Sequence, residues 1–182
     1  MSKDNKKKRC GIICLDRKSS FWRRLLTRWL ISRLQIKSVE IRTYILQALG
    51  KVGDKSAIPV ILNAAKDTDN TIRRFAVSAL ADFGDTEAIN AIITALNDLE
   101  ADIRATAAMS LGLLGDIKAE DALIERLSDK DISVRTQAII ALGNLRSSKA
   151  FSILNQMTST ESNEWIRRYI SQAILEIKGG YR

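Results

Sequence analysis

The sequence predicts an all-α protein, a right-handed α-solenoid of about five helical-hairpin repeats, on the strength of three observations. A hydrophobic-arginine pair recurs as Ile41-Arg42, Ile72-Arg73, Ile103-Arg104, Val134-Arg135 and Ile166-Arg167, at intervals of 31, 31, 31 and 32 residues. Apolar side chains follow each arginine at fixed offsets, such as Leu49, Leu80, Leu111 and Leu142 seven residues on. Gly53-Asp54, Gly84-Asp85 and Gly115-Asp116 then punctuate the pattern at the same period. So regular an internal repeat marks a stacked architecture.

In chain order, residues 1–18 read as a basic flexible tail and residues 19–37 as an amphipathic helix. Leu26, Leu30, Ile31 and Leu34 of that helix fall in the columns held two repeats later by Ala88, Ile92, Ile93 and Leu96. It therefore reads as half of a degenerate repeat that caps the stack. The same segment also fits an anchor to a membrane or partner. Lys6, Lys7, Lys8 and Arg9 precede it, and Trp22 and Trp29 stand among Arg23, Arg24 and Arg28. Cap and anchor both remain open at this level.

Residues 38–182 form the repeat domain. Each first helix carries its apolar residues at three-, four- and seven-residue intervals, a stripe on a 3.6-residue helix that must be buried. Ser38, Asp69, Glu100, Asp131 and Asn163 precede these stripes, where a side-chain oxygen can accept from the open N–H groups of a first turn. The glycines suit the left-handed conformation that ends a helix. The aspartates after them suit the start of a shorter second helix, and Pro59 fits the first turn of one of these. A hairpin of this size cannot bury its stripe alone, whereas stacked hairpins share a continuous core. The composition agrees, being 46% hydrophobic but only 5% aromatic, as suits thin helices packed closely.

These columns resemble the HEAT family, and specifically its short phycobilisome-lyase-like branch, with the pattern D-x-x-V-R-x-x-A-x-x-A-L-G-x-L-G-D, over roughly residues 38–179. The resemblance implies an armadillo-like superhelix whose second helices line the concave face. On that face Asn63, Asn90, Thr94, Asn97, Asp121, Glu125 and Gln156 would be the candidate partner-binding residues. The family includes scaffolds and enzymes alike, so it implies little about activity. A phycobilin lyase-like subunit acting on a phycobiliprotein is one alternative, and a membrane-associated adaptor is another. Deoxyhypusine hydroxylase, which resembles this fold, needs His-Glu pairs, and the chain contains no histidine.

Charge narrows the choice. Residues 1–37 hold twelve Lys or Arg against two Asp, a net of +10; the remainder holds seventeen against nineteen, a net of −2. The formal +8 therefore belongs to the N-terminus, and a groove lined by amides and acids argues against nucleic acid there. No run approaches the about 18 apolar residues of a membrane span. Cys10 and Cys14 lack the further ligands that a zinc or iron-sulfur site requires, and read as reduced thiols of a cytoplasmic chain. No nucleophile-base pair or glycine-rich phosphate loop is present. The expected function is thus a non-enzymatic protein-binding scaffold or adaptor with no cofactor, cytoplasmic or peripheral to a membrane. It is expected to be a monomer or weak dimer, depending on whether Trp165 and Tyr169 close the C-terminal end.

Overall fold

The computed structural model describes residues 20–179, so Lys6, Lys7, Lys8, Arg9, Cys10 and Cys14 lie outside the described residues. Ten α-helices and no strand are found among the described residues: α1 (Ser20–Arg33), α2 (Val39–Val52), α3 (Ile58–Ala64), α4 (Asn70–Ala81), α5 (Thr86–Ala95), α6 (Ala101–Leu114), α7 (Glu120–Arg126), α8 (Ile132–Asn144), α9 (Ser148–Thr160) and α10 (Glu164–Gly179). Single 3₁₀ turns, Lys55–Ala57 and Ile117–Ala119, lead into α3 and α7. The even-numbered helices carry the arginines and are the first helices of the repeats. The odd-numbered ones from α3 onward are the second helices. No described helix is long and apolar enough to cross a membrane.

The signals read from the sequence act through specific hydrogen bonds. Asp69 accepts from the N–H groups of Thr71 and Ile72, Asp131 from Ser133 and Val134, and Asn163 from Trp165 and Ile166. Asp54, Asp85 and Asp116 cap the following segments through Ser56, Ala88 and Lys118. Glu100 departs from expectation: it takes the N-cap place of α6 but its side chain accepts nothing there. Its extra methylene carries the carboxylate past the backbone groups that a shorter Asp or Asn reaches. The fourth turn departs as well. Where the other repeats place Gly53, Gly84 and Gly115, it has Arg146 at φ 52°. Helix α1 ends at Arg33 rather than at 37, tightening through i→i−3 bonds from Leu34 and Ile36.

One hydrophobic core runs through the stack from Leu30 to Ile177, with Leu49, Leu80, Leu111 and Leu142 inaccessible to solvent. Helix α1 packs on α2 as α3 packs on α4, α5 on α6, α7 on α8 and α9 on α10. Leu30 and Thr27 are buried there, while Leu26, Ile31 and Leu34 are partly covered.

The tightest contacts join one first helix to the next. A Cβ placed on Gly112 would stand 2.7 Å from the Cα of Ala141, and one on Gly143 2.9 Å from the Cα of Ala173. The backbones thus touch without side chains between them. Consecutive second helices barely meet. A stack whose elements are close on one side and separated on the other must bend toward the close side. The first helices therefore form the closely packed side of the stack.

Candidate interaction surfaces

Three of the five repeated arginines, Arg42, Arg73 and Arg104, are consumed by the fold in ion pairs. Arg104 makes a two-pronged pair with Asp129, Nε and Nη2 donating across 2.8 Å each, and both side chains are only 6% exposed. Arg73 does the same to Asp98 at 2.9 and 3.0 Å. Arg42 reaches Asp67 through Nη2 alone and leaves its buried Nε without a partner. The remaining guanidinium nitrogen of Arg73 and of Arg104 donates to two carbonyls of the preceding loop, Asp67 and Thr68, and Asp98 and Leu99. Each aspartate also caps its own loop: Asp67 accepts from the N–H of Asp69, Asp98 from Glu100 and Asp129 from Asp131.

The ladder thus ties loop to helix and repeat to repeat. Hydrogen bonds from Arg104 hold the Asp129 carboxyl below the usual carboxylate range, against the opposing effect of burial. At Asp98 and Asp67 burial alone would push the carboxyl up, but the arginine and backbone donors outweigh it and the net direction is down. The ladder stops at Arg135, whose counterpart 25 residues on is Thr160. Arg135 keeps only its carbonyl contacts with Asp129 and Lys130.

The seven residues singled out on the second helices, Asn63, Asn90, Thr94, Asn97, Asp121, Glu125 and Gln156, are all exposed. Several are already engaged locally. Lys149 donates to Asp121 at 3.0 Å, Arg126 to Glu125 at 3.3 Å, and the Thr94 hydroxyl to the carbonyl of Asn90. Asn97 lies beyond the end of α5, in the turn that follows it. Asn63 lines a cleft of about 360 Å³ with Leu34, Lys37 and Arg42 at the N-terminal end. This row lies on the widely spaced side of the stack, away from the backbone contacts between first helices.

The row on the first helices is less polar. Two, five and nine residues after the arginines, the first helices turn Tyr44, Met109, Leu113 and Tyr169 outward, Tyr44 being 71% and Leu113 75% exposed. Between α4, α6 and α8 lies a depression of about 290 Å³ lined by Arg74, Asp102, Ala105, Thr106, Met109 and Gln137. The Arg74 guanidinium lies 4.7 Å from the centre of the Phe75 ring. The signal for this face was present in the sequence, since Tyr44, Met109 and Leu113 interrupt a helix side that solvent alone would leave polar. Among the described residues no cluster of Cys, Asp or Glu is placed to hold a metal ion.

Stacked helical hairpins, a shared core and an arginine-aspartate ladder define the chain as an α-solenoid. The family model for HEAT repeats matches residues 27–101 and 89–174, and the chain belongs to the HEAT-repeat family. None of the curated proteins compared with it matches. Among solved structures, the complex of CpcE and CpcF of phycocyanin lyase from Nostoc sp. PCC7120 is similar with a TM-score of 0.72 and 22% identity, over 84% of this chain and 65% of that one. The chain thus spans about two thirds of the length of that relative. The Escherichia coli YibA structure is similar with a TM-score of 0.64 and 19% identity, over 89% of this chain and 57% of that one. A designed armadillo repeat protein in complex with the peptide (KR)4 gives 0.60 and 16%, over 84% and 81%. At these identities the likeness carries the fold.

Proposed function

We propose that the chain is a non-enzymatic scaffold that binds a protein partner along its row of first helices. The observation that carries this reading is the set of exposed apolar side chains, Tyr44, Met109, Leu113 and Tyr169, on the first helices, turned away from the core. Such side chains lose solvation free energy if left in water and regain it against a complementary surface. Their support is rigid, because the backbones beneath them are in contact. Little ordering cost therefore accompanies binding. Arg74 beside Asp102 gives the row mixed charge rather than the continuous positive strip that a phosphate backbone needs.

Site-specific photo-cross-linking tests the reading. A photoreactive side chain at Met109 or Leu113 should yield one discrete adduct in native extract, and the same side chain at Asn90 or Glu125 should not. Adducts from the second-helix positions alone would move the binding face to the second helices.

A further inference from the structure

Helix α1 has two apolar faces, and the solenoid uses one of them. At 100° per residue, Leu26, Leu30 and Ile31 share the side that packs on α2. Phe21, Trp22, Leu25 and Trp29 project on the other side and are exposed, Leu25 by 50% and Trp29 by 54%. The rings of Phe21 and Trp22 meet edge to face at 5.6 Å, and a shallow depression of about 410 Å³ is lined by Trp22, Leu25, Leu26 and Trp29. Arginines border this strip on both sides. Arg24 and Arg28 flank one edge, and Arg33 flanks the other, 5.5 Å from the centre of the Trp29 ring. From residue 20 through residue 37 there is no acidic residue.

We propose that this outer face of α1 docks the protein on an anionic membrane surface, with the helix lying flat in the headgroup layer. Tryptophan rings and a leucine set between guanidinium groups match the boundary between acyl chains and lipid phosphates, where the rings enter the apolar layer and the arginines meet the anions. Charge complementarity selects this occupant over a second copy of the chain. Two such helices face to face would bury their apolar strips but oppose their flanking arginines, with no acidic residue from 20 to 37 to offset them. Anionic lipid meets both groups and is further attracted by the +10 of residues 1–37. Because the opposite face of α1 is buried in the core, docking fixes the solenoid to the surface rather than tethering it.

Vesicle co-sedimentation of the full chain tests this, with phosphatidylcholine alone against a mixture of phosphatidylcholine and phosphatidylglycerol. Binding to the mixed vesicles should be stronger by at least about tenfold and weaken as salt is raised. In a W165F background, which leaves Trp22 and Trp29 as the reporters, fluorescence should shift to the blue on binding. The double variant L25E/W29E, altered only at exposed positions, should keep its circular dichroism and melting temperature yet lose about tenfold or more in vesicle binding. Wild-type protein that ignores mixed vesicles would overturn the proposal. So would a double variant that binds them as the wild type does, or a dimer in light scattering that L25E/W29E dissolves.

Discussion

Arg104 and Asp129 illustrate what the repeat asks of single residues. Their pair is the most buried rung of the ladder, and both oxygens of Asp129 are used by the guanidinium. Asp129→Ala would leave a buried charge without its partner and should cost about 3–5 kcal/mol in chemical denaturation. Asp67→Ala should cost less, because Arg42 makes a single contact and is more exposed. A carboxyl whose folded pKa is depressed contributes stability that is fully present above the unfolded value of about 3.9 and is lost as pH falls through the folded one. The gap in melting temperature between wild type and Asp129→Ala should therefore narrow on acidification from about pH 6 to about pH 3, and a constant gap would deny the pair its role. Arg146 makes the opposite prediction. It holds a left-handed conformation where three other repeats place glycine, so Arg146→Gly should stabilise by about 1 kcal/mol, seen as a higher denaturation midpoint. Glu120, buried in the column of Ile58 and Ile89, is satisfied by the Ser147 hydroxyl at 2.7 Å and by Lys149 at 3.2 Å. Serine where the other repeats have aspartate supplies that donor, and it still caps α9 by accepting from Ala150.

The helices differ in how openly the sequence announces them. First helices α2, α4, α6, α8 and α10 are legible from their caps and stripes because each signal is local and repeats. The ladder partners were not, since Asp54, Asp85 and Asp116 recur at the same period as Asp67, Asp98 and Asp129, and only the fold shows that the second series meets the arginines. The exposed apolar residues of the first helices were legible, but the close packing beneath them was not. Which side of a stack is crowded depends on contacts between residues about thirty apart, and Gly50 against Ala79, Gly112 against Ala141 and Gly143 against Ala173 reveal it. Glycine inside a helix normally weakens it by about 1 kcal/mol relative to alanine. At Gly112, Ala141 lies too close for that exchange to help. Gly112→Ala should destabilise by about 1–3 kcal/mol in thermal or denaturant unfolding, and a stabilised variant would show that the helices stand farther apart. The same column ends in Leu175, 63% exposed on α10. Its bulk would keep a further first helix from approaching as closely as its predecessors do.

At the scale of the molecule, contact on one side and separation on the other set the bend, and the bend decides which row a partner meets. Helices in direct contact lie about 8–10 Å apart, so first helices two steps apart should be separated by about 16–20 Å between axes. Second helices two steps apart must span more. Paired spin labels in a chain with Cys10 and Cys14 replaced measure both. One pair sits at Ser78 and Ile140 on the first helices, the other at Asn90 and Ser152 on the second helices, with the same sequence separation. A stack that bends toward its first helices should give a shorter distance for Ser78/Ile140 than for Asn90/Ser152. Equal distances would mean a stack that does not bend, and a shorter one for Asn90/Ser152 would place the second helices on the inner side; either result contradicts a bend toward the first helices.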